Sequence, residues 1–535
     1  MSKQQCYIKS SRRVFPAKAS KQPKITKLSI ADASVARFAP CGAIWLYDGS
    51  ETSNAHDPAL FQRLEQALRE TLDDYQHYAG QLQWATKELV QRDTNPRYVG
   101  RPVVVNDTAG DPGVDLVIAE DSRELRTIVP SRDERATTKK LWNATDFPQN
   151  DLLPKTKLAL SSLADLEGLP GVAVQLTAFK CGGFAVSILL THCLSDAFCL
   201  LQFVHSWAAR SCILFDTDWA APGVSDTYLR PLFDPSQLDQ HAHLTSGRLG
   251  PDADLIEKAR ALPMHRFDWW ATDAPGYPVW AEASSTGTKP PAEELVRLQL
   301  SPSTIPPWPT WDMAAPVEHR QIRFAAGEIA KMKQAAEESL PESLSGQRVS
   351  RLDAVLAHMW ILINRARQLE HSQEQVYINI TLGLRGRVDP PLPDSFVGSP
   401  ILLGYVAKTG SEASMATIGS VAGSIRQTMS KFTPDAVSAY LHDAAHEVSP
   451  QRLWQAFLGS QHTLVTSWAR ARAYEVDFCA TKGLARYVQG VMPRMDGLVQ
   501  VMDVGETGDF DISLCLEKEA LRRLIQDPLL RRYDQ

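Results

Sequence analysis

Apolar residues recur at helical spacing in two long stretches of the chain. In the first, residues 57–72, four leucines follow one another at intervals of four: Leu60, Leu64, Leu68 and Leu72. In the second, residues 349–369, Ser350 stands where a helix N-cap is expected, and one apolar face is formed by Val355, Met359, Leu362 and Ala366. Both patterns predict amphipathic helices that bury one face against a core.

Shorter apolar segments have the spacing of β-strands. Three of them are rich in β-branched side chains: residues 101–106, 114–119 and 376–382. Residues 172–179 alternate with a period of two, and residues 184–191 form an almost unbroken apolar run after the turn at 181–183. This arrangement predicts a hairpin whose second strand is buried on both faces.

The apolar period changes at the end of this hairpin. Five residues after Asp196 share one helical face: Leu200, Leu201, Val204, Trp207 and Ala208. Ser195 or Asp196 can cap the predicted helix. His192 therefore lies where a buried strand meets the start of a helix, and a side chain at such an edge is held rigidly.

Residues 217–320 differ from the rest of the chain in composition. They hold six of the thirteen tryptophans: Trp219, Trp269, Trp270, Trp280, Trp308 and Trp311. Clustered prolines between 290 and 309 also disfavour long regular elements. We predict three parts, residues 1–216, a crossover or insertion at 217–320, and residues 321–535. The alternative is that 217–320 belongs mainly to the core of the first part.

Composition and charge exclude several classes of protein. The chain of 535 residues is 44% hydrophobic and 22% charged, which is close to an ordinary globular protein. No apolar run approaches the about 18 residues of a membrane-spanning helix. The formal net charge of −6 provides no field that would attract a phosphate backbone. We therefore expect no membrane span and no nucleic-acid partner.

Cysteine usage and the N-terminus bear on the compartment. The eight cysteines form no Cys-x-x-Cys pair, so we expect reduced thiols in a cytoplasmic protein. The first 24 residues carry seven basic residues and no acidic one, and they lack the apolar core of a secretory signal. We interpret them as an exposed arm, with a mitochondrial transit peptide as the alternative.

Two histidines raise the question of a metal site. His442 and His446 are four apart in a predicted helix, so both imidazoles share a face and have the spacing of zinc ligands. The metalloprotease pattern requires glutamate directly after the first histidine, where this chain has Asp443, and a third ligand is not evident. We therefore expect no metal and interpret these histidines as part of a solvated helix face.

The pattern His-x-x-x-Asp at His192 and Asp196 is the best remaining candidate for chemistry. The sequence has no phosphate-binding loop, dinucleotide fingerprint or G-x-S-x-G elbow. The pattern alone is expected about once by chance in such a chain, so its weight comes from its place at a strand–helix junction. A histidine satisfied in the core is the alternative. Cys193 and Cys199 lie beside it, but a buried cysteine is usually a small apolar side chain.

The segment FKCGGFAVSILLTHCLSDAFCLLQFVHSW, residues 179–207, closely resembles the catalytic segment of the BAHD family of CoA-dependent acyltransferases. Further blocks resemble the family in its order along the chain: Tyr78-Ala79-Gly80-Gln81-Leu82, the helix at 349–367, Arg385-Gly386-Arg387 with the prolines at 390–393, Thr466-Ser467-Trp468, and Asp477-Phe478. Together these blocks sample most of the chain. The resemblance is closest to fungal members and is similar to the trichothecene acetyltransferases.

The sequence departs from the family pattern at two places. The family's D-F-G-W-G reads Asp477-Phe478-Cys479-Ala480-Thr481 here, which removes both glycines and the tryptophan. Ser399 stands where the family usually has asparagine after a glycine. The first departure casts doubt on the local backbone and the CoA-side geometry more than on activity.

The resemblance implies roles for individual residues. His192 would be the general base, and Asp196 would turn away from it to pair with Arg385, with Arg387 as the alternative partner. Trp468 would place its indole N–H near the oxyanion, with Thr466 beside it. Asp477 would be structural.

The resemblance also implies a fold and an activity. The expected fold is α/β, the two-lobed chloramphenicol-acetyltransferase-like fold, in which each lobe is a mixed β-sheet with helices and a tunnel runs between the lobes. The expected activity is transfer of an acyl group, with acetyl as the expected group, from acyl-CoA as cosubstrate to a hydroxyl of a secondary metabolite, by a monomer with no bound cofactor. The tryptophans of 217–320 would either line the acceptor mouth or pack in the core.

Two other functions stay open. A condensation-type enzyme of the same superfamily would use a carrier-protein thioester, but its H-H-x-x-x-D-G pattern meets Thr191 and Ala197 here. The other is a non-catalytic homologue that acts as a binding protein.

Overall fold

The computed structural model describes most of the chain. The described residues are 5–18, 22–50, 54–89, 99–106, 109–160, 165–215, 230–244, 250–479 and 484–534. They contain a mixture of helix and strand arranged around two large sheets.

The strands of the described residues are, in chain order, β1 Cys6–Val14, β2 Lys24–Lys27, β3 Cys41–Tyr47, β4 Gln81–Trp84, β5 Pro102–Asn106, β6 Val114–Asp121, β7 Leu141–Asn143, β8 Val172–Phe179, β9 Phe184–Leu190, β10 Phe267–Asp268, β11 Val317–Phe324, β12 Gln375–Gly383, β13 Ile401–Thr409, β14 Leu453–Trp454, β15 His462–Ser467, β16 Tyr487–Gly490, β17 Leu498–Asp503 and β18 Phe510–Glu517. The five strands predicted from apolar spacing are all present.

The α-helices of the described residues are α1 Ile30–Ser34, α2 Pro58–Leu72, α3 Leu125–Ile128, α4 Arg132–Ala136, α5 Gln149–Leu152, α6 Ala197–Phe215, α7 Ser236–Asp239, α8 Ala253–Arg260, α9 Val279–Thr286, α10 Ala292–Leu295, α11 Ala326–Glu338, α12 Arg351–Ala366, α13 Gly410–Met415, α14 Ile418–Ser430, α15 Pro434–His446 and α16 Lys518–Gln526. The two long helices predicted from the sequence are α2 and α12, and Ser350 caps the second through a capping box with Asp353.

The first sheet has six strands in the order β1-β6-β8-β9-β3-β16. Its centre is the predicted hairpin of β8 and β9, in which Gly182 takes a positive φ of 80° that favours glycine at the turn. Both strands are almost entirely buried. Helices α2 and α6 cover one face, where the Trp207 indole donates to the Leu64 carbonyl at 2.8 Å.

The second large sheet has seven strands in the order β13-β12-β15-β17-β18-β11-β7, with parallel pairs at β12–β15 and β15–β17. Helix α12 is the centre of its core, and the predicted inward face is buried: Val355, Met359, Leu362 and Ala366. Each lobe is therefore a mixed sheet with helices.

The two lobes exchange one strand each. β16 belongs to the second half of the sequence but pairs with β3 in the first sheet, and β7 belongs to the first half but pairs with β11 in the second. The linear division at 216 and 321 remains a prediction, and these two strands cross it. Such pairing ties the lobes together around the space between them.

The described part of 217–320 packs mainly on the second half of the chain. Its short strand β10 pairs with β14, and its aromatic side chains share a core with Phe457, Leu458 and Leu498. The segment therefore adds a cap beside the second sheet.

Helix α6 is, among the described residues, long and apolar enough to cross a bilayer, and 61% of that stretch is buried inside the protein. Its buried side chains belong to the core of the first lobe. A core helix accounts for this composition.

Candidate active site

His192 is held at the junction that the sequence predicted. Strand β9 ends at Leu190, a 3₁₀ turn runs over His192–Leu194, and α6 begins at Ala197. The backbone N–H of Asp196 donates to the Gly398 carbonyl at 3.1 Å, so a loop of the second lobe touches this junction. The histidine thus lies where the two lobes meet.

The His192 ring is fixed by one hydrogen bond and one aromatic contact. Its Nδ1 lies 3.1 Å from the Ser399 hydroxyl, and the Phe38 ring meets it edge-on at 5.5 Å between centroids. Because Ser399 occupies Nδ1, the nitrogen left for a substrate is Nε2. Burial lowers the pKa of His192, which favours the neutral ring that a base requires.

Asp32 lies behind Ser399 and was missed in the sequence. Its Oδ1 accepts from the Ser399 backbone N–H at 2.5 Å, and its Oδ2 accepts from the hydroxyl and N–H of Ser29. Burial raises the pKa of Asp32 to about 6. The S-x-x-D capping box at Ser29 indicates a helix start, but nothing in the sequence joins it to a loop at Ser399.

Asp196 forms an ion pair with Arg385, as the family resemblance implied. The two side chains make two hydrogen bonds, at 2.6 and 3.1 Å, and Asp196 also caps α6 through the Cys199 N–H. Both side chains are largely buried. Arg387 instead donates to the carbonyls of Met429 and Phe432 at the end of α14, so it is not the partner of Asp196.

A cavity of about 620 Å³ opens beside His192. Both lobes line it, and the first-lobe contribution includes Arg37 and Phe38. Its size is within the usual range for sites that enclose small organic ligands.

Thr466 and Trp468 line the cavity from the second lobe. Thr466 lies in β15, the strand between β12 and β17, and Trp468 follows directly after that strand. The Trp468 backbone N–H donates to the Val501 carbonyl at 2.7 Å, and its side chain is only 5% exposed. The structure therefore brings Trp468 and His192 to one pocket.

The tryptophans of 217–320 divide between wall and core. Trp269, Trp280 and Trp311 line the cavity, and we call them the tryptophan wall. Trp308 is buried and stacks with Trp311, while Trp270 is buried near Thr288. Trp219 lies outside the described residues. Some of these tryptophans therefore line the cavity and others pack in the core, and a role of the first group at the acceptor mouth stays a prediction.

The degenerate D-F-G-W-G loop lies behind α6, away from the cavity. Phe478 is buried against Tyr47 and Trp207, and the Asp477 carbonyl accepts from the Cys212 thiol at 3.0 Å. Ala480 and Thr481 lie outside the described residues. The described part of this loop packs against the first lobe, and the structural role of the Asp477 side chain stays a prediction.

The cysteines beside His192 are buried thiols. Burial raises the pKa of Cys193 well above its ordinary value and the pKa of Cys199 to about 12. A thiol that stays protonated is a poor nucleophile. Cys193 therefore acts as a packing side chain, while the Cys199 sulfur also accepts hydrogen bonds from Arg385 at 2.8 Å and from the Gly398 N–H at 3.2 Å.

The prediction that His442 and His446 lie on a solvated helix face is wrong. His442 is buried, its Nδ1 lies 2.7 Å from the Ala242 carbonyl, and its Nε2 accepts from the Asp252 N–H at 2.9 Å. The pattern of α15 alone does not show that residues near 242 and 252 cover this face. Among the described residues, no group of three or more metal-ligating side chains comes together.

The sequence matches a model of the transferase family over residues 135–212 and 273–530, well over half of the chain. The chain belongs to the BAHD transferase family. The BAHD chain is 26% identical to acyltransferase AFT15-1 of Alternaria alternata, with 98% of this chain and 97% of that protein aligned. It is 23% identical to acyltransferase abl6 of Leptosphaeria maculans, with 98% and 97% aligned.

Solved structures share the fold of this BAHD chain. Vinorine synthase is 17% identical and superimposes with a TM-score of 0.61, covering 97% of this chain and 96% of its own. F. graminearum TRI101, solved with coenzyme A and T-2 mycotoxin, is 14% identical with a TM-score of 0.66, covering 95% and 99%. The protein is an acyltransferase with the predicted two-lobed fold.

Proposed function

We propose that the protein transfers an acyl group, most simply acetyl, from acyl-CoA to a hydroxyl of a secondary metabolite, with His192 as general base. The observation that carries this proposal is the position of His192 on the wall of a cavity between the lobes, with its Nδ1 held by Ser399. The cosubstrate is acyl-CoA, as in this family, and no resident cofactor or metal is required for the steps below.

The reaction needs one proton to move twice. Neutral His192 accepts the acceptor's hydroxyl proton at Nε2 while the oxygen attacks the thioester carbonyl. The tetrahedral intermediate collapses, the C–S bond breaks, and the imidazolium returns the proton to the leaving sulfur. Ester and free CoA thiol are the products. General base catalysis of this kind contributes about 10²–10⁴-fold.

Negative charge develops on the carbonyl oxygen during this attack. Trp468 lines the same cavity as His192, and its indole N–H is the proposed donor to that oxygen, with Thr466 beside it. A donor held in place before the reaction stabilises the transition state without reorganisation. The Asp196–Arg385 pair serves as the anchor of the loop that carries Ser399.

The proposed place of the acceptor is beside the tryptophan wall, whose aromatic faces suit a bulky apolar molecule. Large aromatic faces provide such a surface at little conformational cost. We further propose that the protein acts as a cytoplasmic monomer with no membrane span, since neither reaction partner requires another chain or a bilayer.

The direct test is free-thiol release from acetyl-CoA and longer acyl-CoAs against a panel of hydroxylated terpenoid and polyketide acceptors. Acceptor-dependent release by the wild type that collapses in His192→Ala supports the proposal. His371→Ala, a change at an exposed histidine, serves as the matched control and keeps full activity. Failure to bind CoA at all would favour the carrier-protein or non-catalytic alternative.

A further inference from the structure

Arg37 lines the cavity, and its charged group has no polar partner among the described residues. It follows α1 and lines the same cavity as His192, and the neighbouring Phe38 contacts the His192 ring. Its Nε, Nη1 and Nη2 atoms are all inaccessible to solvent and make no hydrogen bond with the described residues. Arg37 and the proposed base therefore line the same cavity.

Two fully buried arginines are each paired with a carboxylate. Arg135 bonds to Asp511 at 2.9 Å, and Arg452 bonds to Asp268 at 2.9 Å. A buried charge is normally retained with such a partner, because its hydration is lost on folding. Arg37 has no such partner among the described residues, and this absence needs an explanation.

Aromatic stacking explains only part of the arrangement. The Arg37 guanidinium carbon lies 4.2 Å from the centre of the Trp269 ring and 5.8 Å from that of Trp454. Ring faces attract the charge from above and below the guanidinium plane. The five N–H groups lie in that plane, so stacking leaves their hydrogen-bonding capacity unused. Burial lowers the pKa of Arg37 to about 9, which still leaves it protonated at neutral pH.

We propose that Arg37 binds a carboxylate of the substrate, so that the enzyme acts on a substrate that carries an acid group within this cavity. A carboxylate matches the planar fork of a guanidinium with two parallel hydrogen bonds. It also neutralises the charge, which a hydroxyl or ester carbonyl does not. The proposal rests on the proposed function and assigns a substrate class to that same cavity.

The carboxylate can belong to the acyl acceptor or to the far end of the acyl group. One arm of the test therefore compares hydroxy acids with their methyl esters, using acetyl-CoA as donor. The other arm compares succinyl-CoA with butyryl-CoA, using a neutral alcohol. In one arm we expect the acid to be preferred in kcat/KM by about tenfold or more, which is the scale of a hydrogen-bonded charge.

Arg37→Met tests the assignment, because methionine is of similar length and fits between two tryptophans. We expect it to abolish the preference by raising KM for the acid and to leave the ester or butyryl-CoA reaction within about threefold. Arg37→Lys keeps the charge without the fork and restores part of the preference. Arg297→Met, at an exposed arginine outside the cavity, is the control and changes neither reaction.

A binding measurement does not depend on turnover. A panel of hydroxy acids and dicarboxylates is expected to raise the melting temperature of the wild type and not that of Arg37→Met. Without ligand, Arg37→Met is expected to melt at the same temperature as the wild type or higher, because it removes an unpaired buried charge. This result would show that the residue is kept for binding and not for folding.

Three results would overturn the proposal. The first is no acid preference in either arm together with no Arg37-dependent melting shift. The second is an equal loss of acid and neutral reactions in a folded Arg37→Met. The third is weaker binding of CoA itself in that variant, which would place a phosphate on Arg37. Absence of thiol release by the wild type with every pair would instead defeat the proposed function, while the melting shifts would still report on Arg37.

Discussion

Two arginines line the same cavity and are held in opposite ways. Arg385 makes two hydrogen bonds to Asp196, whereas the Arg37 guanidinium makes none with the described residues and lies against the Trp269 ring. The charge of Arg385 is paired within the protein, and this pair fixes the loop beside His192. The second arginine, Arg37, lies at the cavity wall and has no hydrogen-bond partner among the described residues. We infer that an arginine that anchors a loop is paired within the protein, whereas an arginine that binds substrate keeps its N–H groups unpaired for it.

Removing one charge of the Asp196–Arg385 ion pair has the largest expected effect. Asp196→Asn leaves the buried Arg385 charge without its partner, so we expect the free energy of unfolding to fall by about 3–5 kcal/mol and activity to be lost. Urea unfolding measures this change. The exposed pair of Glu519 and Arg522 is the matched control, and Glu519→Gln is expected to cost about 0–1 kcal/mol. Equal losses of unfolding free energy in Asp196→Asn and Glu519→Gln would contradict a structural role for the Asp196–Arg385 pair.

Trp468 lines the cavity, and Trp468→Phe removes its indole N–H while it keeps an aromatic ring. Loss of one oxyanion donor is expected to lower kcat by about 10²–10³-fold with little change in KM. Steady-state kinetics separates the two parameters. Trp280→Phe, at a half-exposed position of the tryptophan wall, is the control and is expected to change KM for the acceptor more than kcat. A Trp468 variant with unchanged kcat would show that this side chain only packs.

Ser399→Ala removes the hydroxyl that holds Nδ1 of His192. The loss of one hydrogen bond is expected to lower kcat about tenfold. Ser399→Asn, which restores the residue usual in the family, is expected to recover part of that loss, a result that a general packing defect would not give. Ser414→Ala is a matched change at a buried serine outside the cavity, and it leaves kcat unchanged.

The pH dependence has the smallest expected effect. His192 must be neutral to accept a proton, so activity falls as pH drops through its pKa. Burial lowers this pKa, and we therefore expect the acidic limb of kcat/KM below pH about 6.5, the ordinary value for histidine. A limb above that value would mean that a nearby negative charge dominates over burial.

Local sequence patterns and the family motif predicted the part of the site that contains His192 and the Asp196–Arg385 pair. The hairpin of β8 and β9, the start of α6 and the spacing from His192 to Asp196 are all contained in one short segment, and family resemblance supplied Arg385. These features depend on neighbouring residues or on a shared motif. They could therefore be predicted from the sequence.

The surroundings of Arg37 and Asp32 depend on contacts between residues that are far apart in the sequence. Arg37 meets Trp269 and Trp454, and Asp32 meets Ser399, although these residues are hundreds of positions apart. The exchange of β7 and β16 between the sheets is equally remote from any local pattern. Because hydrophobic periodicity reports only which face of an element is buried, it does not reveal what covers that face.

The central claim is that His192 is the base of an acyl-CoA-dependent transfer. The most direct measurement is kcat/KM for acceptor-dependent thiol release by folded wild type and His192→Ala, side by side, with the ester product identified by mass spectrometry. We expect the variant to be slower by about 10²–10⁴-fold while it still binds acyl-CoA. A folded His192→Ala that forms the same ester within about threefold of the wild-type rate would contradict the account.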